Sequence, residues 1–246
     1  MRSLLLLLLT SLLLTSEDFP TPRPRDPAPN LIFLLADDLR HDALGYAGNP
    51  TVRTPHLDGL AARSTVFENA YVTTSICAVS RASILSGQYA RRHGIVDFSA
   101  TFSDSSWRTT YPALLRQAGY HTGFVGKWGV GERDTMGPYR FDHWAGFGGQ
   151  GRYEGRDSAG RYRHLTRRMG EEATTFIEQA PTDRPFLLNV SFKAPHVQDG
   201  DARQFVYDTT FAGLYADADI PRPPTAAAEY FERLPAHLQT SEGRRR

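Results

Sequence analysis

Three stretches of the chain carry side chains whose types and spacing suit chemistry. The first is Asp37-Asp38, directly after the apolar run Leu31-Ile-Phe-Leu-Leu-Ala36. Adjacent carboxylates repel one another unless a cation sits between them, and hard divalent ions such as Ca²⁺ or Mg²⁺ take oxygen ligands of this kind. A solvated turn is the plainer reading of the same pair, and Asp42 is either a further ligand or a surface charge. The second stretch holds Cys77, the one cysteine of the chain, with Arg81 four residues on. A lone cysteine forms no internal disulfide, so it is either a small buried hydrophobe or a reactive group. Ahead of a helix, the unpaired N–H groups and partial positive charge favour an anion or a thiolate. The third comprises Gly126-Lys127-Trp128-Gly129 and Lys193-Ala-Pro195-His196, which contain the only two lysines among 28 Lys+Arg. Each is either a plain surface cation or, against so strong an arginine bias, a lysine kept for a purpose. An acid pair able to hold a metal, a cysteine at a helix start and several cations together suit a small tetrahedral oxyanion ester.

Positioning these groups falls to a series of alternating strands and helices. Residues 31–36 lack polar alternation, which predicts a strand buried on both faces, as in a parallel sheet. Leu57, Leu60 and Ala61 place a helix after Pro55, and Val66–Val72 reads as a strand. A short helix is expected over Ser80–Leu85. Another spans Tyr111–Ala118, with Pro112 in its first turn and Gly119 at its end. Strands are expected at 122–125 and 186–192, and an amphipathic helix at 169–179 on Met169, Ala173, Phe176 and Ile177. The Gly-, Arg- and aromatic-rich region 139–163 reads as surface loops, and residues 201–246 show no convincing strand. The fold class is therefore α/β, a mostly parallel sheet with flanking helices. In such sheets functional groups gather at the carboxyl ends of strands, where all three stretches fall.

Composition narrows the function classes. The chain has 246 residues, 40% hydrophobic, with 28 basic against 27 acidic side chains and a net charge of +1. That balance lacks the basic excess of a nucleic-acid binder, and no nucleic-acid partner is expected. Met1-Arg2, the leucine-rich residues 4–14 and the polar Ser16-Glu17-Asp18 fit a signal peptide over residues 1–16. This run is shorter than the roughly 20 apolar residues of a membrane span, an uncleaved anchor being the alternative. A proline-rich linker at 17–29 leads into the fold at residue 30. The expected location is secreted or periplasmic.

The ordered motifs resemble the type I, formylglycine-dependent sulfatases of the alkaline-phosphatase superfamily. Asn30 to Asp38 resembles their opening strand and metal pair. Thr54-Pro-His-Leu-Asp-Gly-Leu60 and Phe67-Glu-Asn-Ala-Tyr71 resemble the approach to the active-site cysteine. Cys77-Ala-Val-Ser-Arg81 with Ser86-Gly-Gln-Tyr resembles the signature that directs cysteine oxidation. Leu114 to Tyr120, Gly126-Lys-Trp128 and Phe186 to His196 continue the series, so that the likeness covers about residues 30–200 in collinear order. The resemblance implies sulfate-ester hydrolysis on a sulfated small molecule or, by preference, a glycan. Cys77 would be oxidised to formylglycine by a formylglycine-generating enzyme and hydrated, one hydroxyl attacking sulfur and the other expelling sulfate. It implies a divalent metal, Ca²⁺ in first place, on Asp37, Asp38 and the modified Cys77. Arg81 would hold the nucleophile, Lys127 would bind a sulfate oxygen, and His196 would contact sulfate or protonate the leaving alcohol.

The chain departs from the family pattern at three places. Val79 stands where the signature usually has Pro or Ala, Gly129 where a His usually follows Gly-Lys-Trp, and no Asp-Asn dipeptide occurs anywhere in the sequence. The family's later metal pair and lysine are thus missing. Residues 30–246 are expected to be the N-terminal catalytic region of a longer enzyme, with the fold incomplete at its C-terminus. Two other functions stay open: a phosphoric-ester hydrolase of the same superfamily, and a non-catalytic protein that binds sulfated ligands.

Overall fold

The computed structural model describes residues 28–131 and 137–239. The expected signal peptide, most of the linker and the Arg244–Arg246 end lie outside these residues. In chain order the elements are β1 (Leu31–Asp37), α1 (Pro55–Ala61), α2 (Cys77–Ser86), α3 (Ala90–His93), α4 (Asp104–Trp107), α5 (Tyr111–Gln117), β2 (His121–Lys127), α6 (Gly137–Arg140), β3 (His143–Phe147), β4 (Glu154–Arg156), β5 (Tyr162–His164), α7 (Leu165–Gln179), β6 (Phe186–Pro195) and α8 (Ala228–Glu232). Four strands form a parallel sheet in the order β1-β6-β2-β3, while β4 and β5 make a small antiparallel pair. This is the α/β architecture expected.

Side-chain alternation along the inner strands builds a core on each face. On β2, Phe124 joins Ala82 and Leu85 of α2 and Ala113 of α5, with Trp128, Phe141 and Trp107. The next residue, Val125, joins the opposite core with Leu165, Met169 and Phe176 of α7. Phe186, Leu188 and Val190 of β6 lie on that second face. Helix α7 forms because Leu165, Met169, Ala173 and Phe176 recur on one stripe, and burying each large apolar side chain is worth roughly 1.5–3 kcal/mol. The start of the sheet is tied by Asn30, whose Oδ1 accepts from the Phe186 backbone N–H at 3.0 Å.

Three expectations are corrected. Strand β1 lies at the sheet edge, and α7 does not reach over it: Ile32 and Leu34, in register with Leu188 and Val190, are 50% and 54% exposed. Among the described residues that face of β1 stays uncovered, so its apolar residues are not buried on both faces. Residues 66–72 form no strand, since no neighbouring strand pairs with their backbone; Phe67 and Tyr71 stand exposed. The region 139–163 is not all loop: it supplies β3, which pairs with β2 from Gly123↔His143 to Lys127↔Phe147, and β4. No helix among the described residues is long and apolar enough to cross a membrane.

Candidate active site

Carboxyl ends of three neighbouring strands converge with the start of one helix. β1 ends on Asp37, β2 on Lys127, and β6 brings Ser191 and Lys193, while α2 begins at Cys77 and places Arg81 one turn along. The centre is a buried ion cluster. Lys127 Nζ donates to Asp37 Oδ2 at 2.6 Å, and an Arg81 nitrogen lies 3.4 Å from the same oxygen. Asp37, Arg81 and Lys127 are 6%, 5% and 1% exposed. Arg81 also donates to the Lys127 carbonyl at 2.9 Å and to the Ser191 hydroxyl. Burial pushes the Arg81 guanidinium down from its ordinary value, against the pull of Asp37 and Cys77. Arginine still stays charged across the working pH range. Two buried cations around one buried carboxylate leave a net positive charge, which suits an oxyanion.

A second group surrounds this cluster. His196 Nε2 lies 3.7 Å from Asp38 Oδ2, its Nδ1 is 2.8 Å from the Val197 carbonyl, and its own carbonyl accepts from the Tyr153 hydroxyl at 2.6 Å. Asp38 is exposed and has φ 63°, the left-handed region. Lys193 Nζ donates to the Gly151 carbonyl at 3.2 Å and sits over the Tyr153 ring, 4.9 Å from its centroid. Burial holds the Lys193 amine below its usual value, Lys127 adding to the effect while Asp199 and Asp37 oppose it.

The structure thus brings Asp37, Arg81 and Lys127 into direct contact, sets Cys77 one helical turn from Arg81, and pairs His196 with Asp38. Asp42 is no part of the site: it pairs with Arg40 at the surface, 2.6 Å away. Sequence reasoning missed Ser191, Gln150 and Tyr153. Ser191 could have been found from its place two residues before Lys193 on the same strand. Gln150 offered no signal beyond its setting among the glycines of Gly148-Gly-Gln-Gly151.

Gly129, the position where the family usually has His, follows β2 with φ 69°. A Cβ there would lie 2.8 Å from Arg81 Cδ, so this backbone and the buried arginine leave no room for a side chain. Val79 is 1% exposed in the third position of α2, packed as core.

Among the described residues Asp37 and Asp38 do not by themselves complete the donor set of the expected divalent ion. Asp37 Oδ2 is already met by Lys127 and Arg81. Asp38 faces solvent and His196. Among the described residues no three His, Cys, Asp or Glu side chains gather where a metal could sit. Calcium takes six to eight oxygen ligands, so Asp37, Asp38 and Cys77 alone do not hold it.

Comparison with known proteins assigns the family. Residues 29–237 match the family model described as Sulfatase. The chain belongs to the sulfatase family. It is 30% identical over 237 residues to the N-acetylglucosamine-6-O-sulfatase of Bacteroides thetaiotaomicron, covering 93% of this chain and 40% of that protein. It is 31% identical over 226 residues to the ulvan-active sulfatase of Formosa agariphila, covering 86% and 43%. The solved structure of BT4656 in complex with its substrate D-glucosamine-2-N,6-O-disulfate superposes with a TM-score of 0.66 at 29% identity, over 80% of this chain and 39% of that one. This sulfatase chain therefore spans about two fifths of the length of the curated relatives it matches.

Proposed function

We propose that the chain carries the oxyanion-holding part of an enzyme that hydrolyses sulfate esters of a carbohydrate. The observation that carries this reading is the buried Asp37–Lys127–Arg81 cluster beside Cys77, with its net positive charge at the strand ends. The sulfatase relatives, named for sulfated sugars and ulvan, support the substrate class. Cys77, matured to formylglycine by a generating enzyme and hydrated to the gem-diol, would supply one hydroxyl as the nucleophile toward sulfur. Its place suits that role: partly exposed, first residue of α2 behind an extended Ile76, at the helix end where backbone N–H groups lack intrahelical partners. Arg81, pinned by the Lys127 carbonyl and Ser191, holds residue 77 against the cluster. Lys127 binds a sulfate oxygen, and its charge favours the negative charge that builds on the departing sulfate. His196, oriented by Asp38 and by its Val197 contact, protonates the leaving sugar oxygen. The leucine-rich start supports action outside the cytoplasm, secreted or periplasmic.

The test uses the protein expressed with a formylglycine-generating enzyme. Mass spectrometry of the Cys77 peptide is expected to show the aldehyde, and a phenyl sulfate is expected to be cleaved in preference to the matching phenyl phosphate. Cys77→Ala should lower turnover by roughly 10⁴-fold or more, the scale at which loss of a nucleophile is felt. Thiol alone at residue 77, with blank assays, overturns the proposal. A second reading is favoured by Gly129 and Val79, the two departures nearest the site: binding of sulfated glycans without turnover. Glycan binding unchanged in Cys77→Ser, with no turnover in the parent, would establish it instead.

A further inference from the structure

Both lysines of the chain, Lys127 and Lys193, are 1% exposed, and both reach the same short loop after β3. Lys127 Nζ donates to Gln150 Oε1 at 2.6 Å, and Lys193 Nζ donates to the Gly151 carbonyl at 3.2 Å. We infer that Gln150 is the positioning residue that aims the Lys127 ammonium at the bound oxyanion. The inference rests on the reading of Lys127 as a sulfate contact.

The argument starts from the donor count. An ammonium has three N–H groups in a tetrahedral array on a flexible four-carbon stem. Asp37 takes one at 2.6 Å and Gln150 takes a second at 2.6 Å. With two donors fixed on different elements, the direction of the third is fixed too, and it is the donor a substrate oxygen can use. Asp37 alone could not do this, because its Oδ2 is shared with Arg81 and one anchor leaves the ammonium free to rotate. The chemistry of the second acceptor also matters. An amide oxygen accepts the hydrogen bond without cancelling the positive charge, whereas a second carboxylate would neutralise the cluster and repel an oxyanion.

The loop is built to hold that amide still. Gly151 has φ 64°, and a Cβ on it would lie 2.5 Å from the Phe147 ring, so the turn closes against the end of β3. Two residues further on, Tyr153 is 3% exposed; its N–H donates to Gln198 Oε1 at 3.0 Å and its ring stacks on His164 with centroids 5.2 Å apart. Gln150 therefore projects from a segment fixed at both ends.

A chain with two lysines makes the test direct. The full chain is labelled with [¹³C]lysine and its two Cε–Hε signals are assigned with Lys193→Arg. Inorganic sulfate is then titrated by calorimetry. Gln150→Met, close in size but with only a weak thioether acceptor, is expected to move the Lys127 signal, leave the Lys193 signal in place, and weaken sulfate binding about tenfold in a chain that still folds. Gln150→Glu keeps the acceptor, so the Lys127 signal should stay near its parent position while sulfate binding weakens through charge. A Lys127 signal and a sulfate affinity both unmoved in Gln150→Met overturn the inference. If the parent chain binds no sulfate, the reading of Lys127 as a sulfate contact falls. The lysine signals still decide the positioning claim, which an unmoved Lys127 signal in Gln150→Met refutes. Should Gln150→Met fail to fold, Gln150→Asn takes its place: one methylene too short to reach, it is expected to shift Lys127 likewise.

Discussion

At the scale of single residues, buried charge meets buried charge rather than solvent. Asp37 is nearly inaccessible, and so are the two cations that meet it. Removing one member of a buried cluster leaves an uncompensated charge, which costs more than the pair contributes. Gly129 is where backbone and site meet most tightly. A non-glycine residue at φ 69° costs about 1–3 kcal/mol, before any contact with Arg81 Cδ at 2.8 Å is counted. Gly129→His, which installs the residue usual in the family, is thus expected to lower stability by at least about 1 kcal/mol and to displace Arg81 from Lys127 and Ser191. Denaturant unfolding with the m-value held constant measures the first effect, and sulfate affinity the second. A Gly129→His chain as stable as its parent and binding sulfate more tightly would show that the backbone here is free to change.

At the scale of elements, what could be read beforehand follows from what each element depends on. β2, β6 and α7 were visible because an inner strand or an amphipathic helix carries its own hydrophobic pattern. β3, His143-Trp-Ala-Gly-Phe147, was hidden because glycine and histidine interrupt the pattern; pairing with β2 over five residues makes it a strand. Residues 66–72 failed the opposite way, with strand-forming side chains and no partner strand. At the site, Asp37, Lys127 and His196 were legible from strand ends, whereas Gln150 and Ser191 gain meaning only when separate elements meet. The amino end of β2 carries a pH dependence. His121 stacks on Phe176 of α7, centroids 5.3 Å apart and nearly parallel. Burial lowers its pKa from 6.5, Arg184 and His143 adding to the effect and Asp142 opposing it. His93 is lowered by burial too. In the folded state these rings stay neutral at a pH where the unfolded chain, titrating near 6.5, takes up protons. The unfolded state then binds more protons, so stability is full above about pH 6.5 and declines as the pH falls below it. His121→Phe should flatten part of that decline and leave the share due to His93. Unfolding free energies taken between about pH 7.5 and 5 check this, and a slope identical to that of the parent would refute it.

At the scale of the whole molecule, one sheet couples two cores that share no aromatic partner. Phe141 touches Trp107, Phe124, Trp128 and Trp144 on the face covered by α2 and α5. Phe176 touches His121, His143 and Phe186 on the face covered by α7. Both faces are borne by β2, whose residues 122–127 are all buried, and the ion cluster sits at the carboxyl end of that same strand. Phe141→Leu and Phe176→Leu should each cost about 1–3 kcal/mol, the range for trimming a buried side chain. Because the two rings have no aromatic neighbour in common among the described residues, the double variant is expected to lose their sum to within about 0.5 kcal/mol. Yet β2 cannot keep one face ordered while the other melts, so all three variants should unfold in a single transition, with tryptophan fluorescence and far-ultraviolet circular dichroism coinciding. Tryptophan is the sensitive probe here, since Trp107, Trp128 and Trp144 all belong to the Phe141 face. A Phe176→Leu chain that lost helical signal before tryptophan signal would show α7 detaching on its own, and β2 would then not be the common support of both cores. Coincident transitions would mean that any loss on the α7 face is felt at Lys127 and Arg81 as global unfolding, and sulfate affinity would stay at the parental value until the chain unfolds.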